Sequence, residues 1–245
     1  MKTVSPFEQQ INDKSIPVVR DFTADSRIML IAFGGVGGKL AMPPFEFFNI
    51  TSGFGIKKIF VRDVQKAWYH HGLPGVGTTI AHVVEALEKD IAAQSVERLV
   101  ICGNSMGGYA ATLFGLLLGA DIVLAFSPQT FIGKMRRFLH RDSRWNEEMK
   151  KLHSSERAQR NYFDLRAVFR RQVNRKTIFH IYYNRCEPLD LVHARRLQEM
   201  RNVFLHARTE GGHTLVRHLR DSGLLREILL DSLSTMNIGN SSAGR

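Results

Sequence analysis

The 245-residue sequence lacks the features that mark disulfide-stabilised, metal-binding and membrane-spanning proteins. Its two cysteines, Cys102 and Cys186, give no disulfide framework, and Cys102 lies in an apolar run where a small buried residue is expected. Neither C-x-x-C nor H-E-x-x-H spacing occurs, so no metal site is indicated. No apolar run reaches about 18 residues, and no basic-plus-apolar export signal opens the chain. We therefore expect a cytoplasmic protein with no membrane span, metal or cofactor.

Positive charge is abundant and unevenly distributed. The formal net charge is +11, and residues 129–176 contain fourteen Lys or Arg against five Asp or Glu. Such a concentration favours an anionic partner: a nucleic acid, an acidic lipid surface, an anionic polysaccharide or a phosphate-bearing substrate. A solvated helical face explains the same charges equally well. No zinc-finger spacing or RNA-recognition aromatic motif singles out nucleic acid.

Apolar runs alternate with stretches of helical periodicity along most of the chain. The length and the 44% hydrophobic content suit one α/β domain. Strand, helix and strand at this spacing predict right-handed crossovers and a mainly parallel central sheet flanked by helices. The predicted central strands are 27–33, 57–62, 98–102, 122–126, 177–183 and 202–207. The predicted helices include 106–118, a helix that follows the strand 177–183 and ends at Met200, and a final helix that begins at His213.

The basic segment interrupts this alternation. We expect an α/β core formed by residues 27–128 and 177–231, preceded by an extension or edge strand over 1–26. Apolar residues within 129–176 recur at loosely helical spacing, which predicts two or three short helices forming a small lid over a pocket. An ordinary crossover helix with a long loop is the alternative. The last residues are small and polar, so a disordered tail is expected over 232–245.

The sequence Gly103-Asn104-Ser105-Met106-Gly107-Gly108 joins a short apolar run to a long one. A buried strand, a sharp turn with small residues two positions either side of a serine, and a helix are the context of a nucleophile elbow. The glycines are needed because the strained turn brings backbone close to the serine, where a side chain would clash. Ser105 is therefore a candidate nucleophile. The alternative is a glycine-rich turn in which Ser105 only caps the helix.

A second glycine-rich turn, Gly34-Gly35-Val36-Gly37-Gly38, follows the predicted strand 27–33. A phosphate cradle is disfavoured there because no G-x-x-x-x-G-K-[ST] occurs and Met42-Pro43-Pro44-Phe45 interrupts any helix. The backbone N–H of Gly35, or of Val36, is better interpreted as one donor of an oxyanion hole. Met106, the residue after the candidate nucleophile, supplies the other. A plain flexible turn remains open.

Candidates for an acid and a base follow the later strands. The loop after 177–183 contains Glu187 and Asp190, and Asp190 could equally be the N-cap of the following helix. The loop after 202–207 presents His213, which alone among the ten histidines lies in a glycine-flanked loop after the last strand. We interpret His213 as the base and one of the two carboxylates as the acid.

An aromatic loop follows the predicted strand 57–62. Its glycines and proline indicate a structured loop at the carboxyl end of a strand, where ligands bind in open α/β sheets. Trp68, Tyr69 and His70 can therefore line a substrate pocket. Packing of this loop onto its own domain is the favoured alternative.

The Gly-Asn-Ser-Met-Gly-Gly sequence at 103–108, the acidic loop and Gly-Gly-His at 211–213 resemble the α/β-hydrolase superfamily over about residues 27–230. The resemblance implies that fold and a Ser-His-acid site in which Asp190 is preferred to Glu187. The loop after the first central strand departs from the pattern because no His precedes its glycines. The residues at 42–47, 68–70 and 126–130, together with Leu189-Asp190 and His193-Ala194, further resemble a group of small bacterial hydrolase-like proteins, some associated with polysaccharide or cell-surface biosynthesis.

The function predicted from these residues is cleavage of an ester or thioester by a serine hydrolase. Ser105, His213 and Asp190 would work through an acyl-serine intermediate, as in a carboxylesterase, thioesterase or O-deacylase. The expected substrate is a small-molecule or glycan acyl ester, with anionic character if the basic segment selects it. The alternative is a non-catalytic hydrolase-fold protein that binds an acidic partner through 129–176.

Overall fold

A computed structural model describes residues 6–37, 47–172 and 176–234 of the chain. Seven strands form one sheet within these ranges: β1 (Val18–Asp21), β2 (Ile28–Phe33), β3 (Lys57–Val61), β4 (Arg98–Asn104), β5 (Ile122–Phe126), β6 (Ile178–Asn184) and β7 (Val203–Arg208). Their order across the sheet is β1-β3-β2-β4-β5-β6-β7. β1 pairs with β3 in the antiparallel sense, and all other neighbours are parallel. The predicted mainly parallel sheet is confirmed, and β1 lies at one edge of it.

The helices pack on both faces of this sheet. They are α1 (Pro6–Asn12), α2 (Phe48–Thr51), α3 (Ile80–Ala93), α4 (Met106–Leu118), α5 (Lys134–Leu139), α6 (Asn146–Ser154), α7 (Leu165–Arg171), α8 (Pro188–Arg195), α9 (Leu215–Asp221) and α10 (Leu224–Leu233). Two separate clusters of buried apolar side chains result, one on each face. The architecture is that of an α/β-hydrolase fold.

The core is densest around β5 and α4. Every residue of β5 is buried, and α4 is buried from Met106 to Leu116. A helix that is apolar on all sides suits only such a position beneath a sheet. Gly115 allows the close approach, since a Cβ there would lie 2.2 Å from Val123 Cγ2. The position of Ser105 is therefore fixed by the two most buried elements of the fold.

The strand order places a crevice at the carboxyl edge of the sheet. From β3 on one side of β2 the chain crosses to β4 on the other side, so the loops after β2 and β4 leave in opposite directions. Ligands bind at such switch points in open α/β sheets. The glycine loop that follows Phe33 and the turn that contains Ser105 both lie at this point.

Several element boundaries differ from the predictions. α8 ends at Arg195 rather than continuing to Met200, and the last predicted helix is divided at Gly223 into α9 and α10. α10 continues past 231, where Ser232 and Leu233 are buried. The Met42-Pro43-Pro44-Phe45 sequence and residues 235–245 of the predicted tail lie outside the described residues.

Within the described residues of the basic segment, 129–172 and 176, there are three short helices, α5, α6 and α7, and a 3₁₀ turn at Arg160–Tyr162. That number agrees with the two or three helices expected there, while a lid role stays a prediction. In the ranges that the structure describes, no helix combines the length and apolarity that crossing a bilayer would require.

Candidate functional site

Ser105 occupies a strained turn between β4 and α4. Its backbone angles are φ 54° and ψ −114°, a conformation that L-residues rarely adopt. Its N–H donates to the carbonyl of Phe126 at 2.9 Å, and its own carbonyl accepts from the N–H of Tyr109 at 3.0 Å. The side chain is partly exposed while the neighbouring Met106 is buried. Backbone strain of this kind is retained where surrounding structure fixes it, most often at functional sites.

The glycines around Ser105 are required by contacts with backbone. A Cβ on Gly103 would lie 2.1 Å from the carbonyl oxygen of Gly107. A Cβ on Gly107 would lie 2.2 Å from the carbonyl oxygen of Phe33, the last residue of β2. Backbone atoms of a central strand cannot move aside for a methyl group, so only glycine fits. The elbow is therefore pressed directly against the end of β2.

The predicted oxyanion donors lie on either side of this contact. Met106 is the first residue of α4, where a backbone N–H has no acceptor within its own helix. Gly35 lies beside the elbow, since a Cβ there would be 3.2 Å from the carbonyl oxygen of Asn104. Val36, the other candidate, is buried next to it. The arrangement is compatible with the predicted pair of donors, whose role stays a prediction.

The structure brings Asp190 and His213 into hydrogen-bond contact. His213 Nδ1 lies 2.9 Å from Asp190 Oδ1. The carboxylate is almost completely buried at 2% exposure, while the imidazole is 37% exposed. An ionised carboxylate only accepts, so Nδ1 carries the proton and Nε2 keeps a free lone pair. This is the tautomer that a base acting on a serine hydroxyl needs.

Glu187 lies near the same histidine without binding it. It occupies the N-cap position of α8, and its Oε1 would be 3.1 Å from a Cβ on Gly212. Asp190 lies within the first turn of α8. The N-cap role considered for Asp190 therefore belongs to Glu187 by position. The hydrogen bond to His213 favours Asp190 as the acid of the candidate site.

Ser105, Asp190 and His213 follow the carboxyl ends of β4, β6 and β7, so all three lie at one edge of the sheet. Within the described ranges, no hydrogen bond joins the side chains of Ser105 and His213. Such bonds are often long in ligand-free sites and tighten when substrate binds. In the same ranges, no group of three or more His, Cys, Asp and Glu side chains is arranged to hold a metal ion.

Arg144, in the basic segment, contacts the candidate acid and was not identified from the sequence. Its Nη1 lies 3.2 Å from Asp190 Oδ1, the oxygen that also binds His213. Its Nε and Nη2 donate to the two oxygens of Asp142, each at 3.0 Å. A guanidinium held by two bonds to one carboxylate is fixed in orientation. No local signal distinguishes Arg144 from the other basic residues of the segment.

A buried histidine ties Asp142 to the helix that holds Asp190. His193, one turn after Asp190 in α8, accepts the N–H of Thr130 at its Nδ1, at 3.0 Å. Its Nε2 therefore carries the proton and donates to Asp142 Oδ2 at 3.2 Å. Burial lowers the pKa of His193 to about 4, so the ring is neutral at pH 7. Burial acts to raise the pKa of Asp142, but the hydrogen bonds from His193 and Arg144 prevail and hold it well below its usual range.

Trp68, Tyr69 and His70 are completely buried. Trp68 Nε1–H donates to Gln129 Oε1 at 2.8 Å, and Tyr69 OH donates to a backbone carbonyl of the loop after β2 at 2.9 Å. His70 Nε2 lies 2.9 Å from Tyr109 OH. Side chains whose polar atoms bind inside the protein in this way pack the loop onto its domain. Their placement favours packing over the pocket lining that the sequence also allowed.

Solved structures with the same fold include esterases and acyltransferases. The capsule O-acetyltransferase of Neisseria meningitidis serogroup A has a TM-score of 0.65 and 14% identity, covering 87% of this chain and 90% of that one. A mutant of that enzyme in complex with CoA has a TM-score of 0.63 and 15% identity, and the match covers 89% of this chain and 91% of that one. Est1E from Butyrivibrio proteoclasticus has a TM-score of 0.60 and 11% identity, and the match covers 89% of this chain and 94% of that one. At these identities the likeness establishes the fold alone.

Sequence comparison complements the structural one. No curated protein sequence matches the chain. A family model described as "Uncharacterised protein family (UPF0227)" matches residues 57–217, a span that includes Ser105, Asp190 and His213. Because this match covers well over half of the chain, the protein belongs to the UPF0227 family.

Proposed function

We propose that the protein is a serine hydrolase that cleaves an ester or thioester through an acyl-serine intermediate. The observation that carries this proposal is the 2.9 Å hydrogen bond between Asp190 and His213 at the sheet edge where Ser105 occupies its strained turn. A buried carboxylate, an oriented imidazole and a serine on an elbow are the groups that acyl transfer requires. The esterases and acyltransferases among the structural neighbours support an ester-acting protein.

The proposed reaction assigns one role to each group. His213 Nε2 accepts the proton of Ser105 Oγ as that oxygen attacks the acyl carbonyl carbon, while Asp190 stabilises the imidazolium. The N–H groups of Met106 and Gly35, or Val36, bind the oxyanion. Collapse of the tetrahedral intermediate breaks the bond to the leaving alkoxide or thiolate, which takes the proton from His213. Water, deprotonated by His213, then attacks the acyl carbon. His213 returns that proton to Ser105 Oγ as the bond between this oxygen and the acyl carbon breaks and the carboxylic acid leaves, and no cofactor takes part.

We further propose a small-molecule or glycan acyl ester of anionic character as substrate, because the segment 129–176 carries a surplus of nine positive charges. A second candidate is acyl transfer, in which a hydroxyl group replaces water in the last step. It is favoured by the likeness to the capsule O-acetyltransferase and to its complex with CoA, a thioester-forming anionic carrier. The cytoplasmic location expected from the sequence stays a prediction.

Covalent labelling with a fluorophosphonate probe tests the reactive serine. We expect labelling of the wild-type protein and of Ser127→Ala, and none of Ser105→Ala. Ser127 is the matched control because it follows the neighbouring strand β5 and also has a positive φ of 41°. Absence of labelling in folded protein, or labelling that persists in Ser105→Ala, would overturn the proposal in favour of a non-catalytic hydrolase-fold protein that binds an acidic partner.

Once labelling is established, chromogenic esters of graded acyl length identify the acyl group. Turnover of anionic and neutral esters across a salt series then tests the role of the basic segment. Faster turnover of anionic esters that declines with salt supports charge selection. An identical salt response for both would mean that the segment does not select the substrate. Adding hydroxyl acceptors to the assay distinguishes transfer from hydrolysis, because only transfer yields a new ester.

A further inference from the structure

Helix α5 exposes an unusual amount of apolar surface. Met135, Phe138 and Leu139 are 77%, 83% and 64% exposed. Their spacing of three and four residues puts them on one face of the helix. Trp145, a few residues further on, is 39% exposed. Large apolar side chains grouped on a surface in this way mark an interaction site more often than a solvated face.

A cationic groove adjoins this apolar face. It has a volume of about 440 Å³, and its lining includes Lys134, Arg137, Arg141, Lys150 and His153 together with Phe138. Among the described residues that line it, the one acidic side chain is Asp142, which is buried and bound by Arg144 and His193. Because that carboxylate is already neutralised from within, the groove presents net positive charge to a ligand.

Arg137 adds a fixed positive charge to the groove. Its side chain is 6% exposed, and Nη2 donates to the carbonyl of Arg144 at 2.6 Å and to Asn146 Oδ1 at 3.2 Å. Nη1 lies 3.6 Å from Asp142 Oδ2, and within the described part of the chain it has no hydrogen-bond acceptor. These contacts hold the guanidinium in place beneath the groove, where its charge adds to the positive potential.

We propose that α5 and the adjoining groove form a docking surface for an anionic phospholipid bilayer. Met135, Phe138 and Leu139 would enter the boundary between headgroups and acyl chains, while Lys134 and Arg141 bind lipid phosphates. An apolar helical face flanked by cations is the composition of segments that bind at membrane interfaces. An anionic polysaccharide or a nucleic acid satisfies the cations but offers no apolar phase to three exposed side chains. This inference does not depend on the reactivity of Ser105.

Binding to vesicles tests the proposal on the full-length protein. Sedimentation with phosphatidylcholine vesicles is compared with sedimentation with vesicles containing about 30% phosphatidylglycerol. We expect at least about tenfold stronger association with the anionic vesicles, reduced by added salt. Trp145 reports the location of contact, because the only other tryptophan, Trp68, is completely buried. A blue shift of tryptophan emission on binding that disappears in Trp145→Phe is the expected result.

Two sets of variants separate the apolar and charged contributions. The combined replacement Met135→Ser, Phe138→Ser and Leu139→Ser is expected to reduce association with anionic vesicles by about tenfold or more, because apolar burial contributes strongly to interfacial binding. The pair Lys134→Gln and Arg141→Gln is expected to reduce association and its salt dependence together. All five of these side chains are exposed, and thermal unfolding checks that the variants remain folded.

Matched controls change the same residue types elsewhere on the surface. Phe204→Ser and Leu224→Ser remove exposed apolar side chains, and Lys14→Gln with Arg201→Gln removes exposed cations; neither set should alter binding. Equal association with neutral and anionic vesicles, or unchanged binding by the α5 variants, would overturn the proposal. A third outcome would also overturn it: the α5 triple variant still binds, the Lys134→Gln and Arg141→Gln pair does not, and heparin competes strongly. That combination identifies a polyanion partner.

Discussion

Arg144 lies 3.2 Å from Asp190 at the same carboxylate oxygen that accepts the hydrogen bond of His213. The arginine belongs to the basic segment and the aspartate to α8 of the core. The segment therefore contacts the candidate catalytic machinery through a charge. Two consequences follow: the guanidinium helps to fix the orientation of Asp190, and its charge weakens the field of the carboxylate at the imidazole.

Replacing Arg144 with Gln is expected to lower kcat/KM by about tenfold, equivalent to about 1.4 kcal/mol in the barrier. The same change should move the acid limb of the pH–rate profile to higher pH, because removing a cation lets the imidazolium form more readily. The measurement is kcat/KM on a chromogenic ester from pH 5 to pH 9.

Arg144→Lys keeps the charge but not the two bonds to Asp142. Its acid limb should therefore lie close to that of the wild type, while its kcat/KM should remain lower. Arg141→Gln, at an exposed position three residues away, serves as the control. On a soluble ester it should change neither kcat/KM nor the position of the acid limb. A loss of rate in Arg144→Gln with an unmoved pH profile would mean that the arginine acts only on folding of the segment.

The two carboxylates of the acid loop are expected to respond very differently to replacement by amides. Asp190→Asn should lower kcat by about a thousandfold or more, because an amide no longer enforces the productive imidazole tautomer. Glu187→Gln, at the N-cap of the same helix, should change kcat by no more than about threefold, since its carboxylate does not bind His213. Equal losses in the two variants would contradict the assignment of Asp190 as the acid.

The elements around Ser105 were predictable because local patterns determine them. The predicted helix 106–118 and strand 122–126 coincide with α4 and β5, since continuous apolar runs bounded by glycines leave little freedom in where a buried element begins and ends. α8 was predicted too long because its periodicity continues beyond Arg195 in sequence, while its final turns are irregular in the structure.

Some contacts of the candidate site could be predicted from the sequence, and others could not. Asp190 and His213 could be placed at one sheet edge from strand order. The contact of Arg144 with Asp190 joins residues that are 46 positions apart and depends on how the basic segment folds back onto α8. The burial of Trp68 likewise depends on Gln129, which belongs to that segment. Such tertiary contacts leave no periodic signal in the sequence.

Gly107→Ala is expected to destabilise the protein by about 3 kcal/mol, since overpacking against fixed backbone is among the larger effects of a single substitution. The added Cβ would lie 2.2 Å from the carbonyl oxygen of Phe33 and 2.9 Å from the carbonyl carbon of Gly34. Gly55→Ala is the matched control, because a Cβ there meets nothing within 4 Å. Urea unfolding gives the free energy of unfolding of each variant. Equal values for the two variants would contradict the close packing of the elbow on β2.

Burial of His70 is expected to make the protein less stable in mild acid. The ring accepts the N–H of Gln159 at Nδ1, at 3.2 Å, and faces Tyr109 OH with Nε2. Burial lowers its pKa from 6.5 to about 3, with smaller contributions in the same direction from His71 and His153. The unfolded chain therefore binds a proton below pH 6.5 that the folded protein does not bind until about pH 3, and stability falls as the pH decreases through that window.

Between pH 7 and pH 5 this one histidine should account for a loss of about 2 kcal/mol in the free energy of unfolding. His70→Gln removes the titrating group, so its loss over the same interval should be smaller by about that amount, whatever its stability at pH 7. His140→Gln, at an exposed position, controls for the general effect of acid and should behave as the wild type does. Because His193 is also buried with a pKa lowered to about 4, His70→Gln should keep part of the pH dependence. The double replacement of His70 and His193 should reduce that dependence further. Urea unfolding at the two pH values decides the point: an unchanged loss in His70→Gln would mean that this imidazole is protonated in the folded protein, which its acceptor role toward Gln159 does not allow.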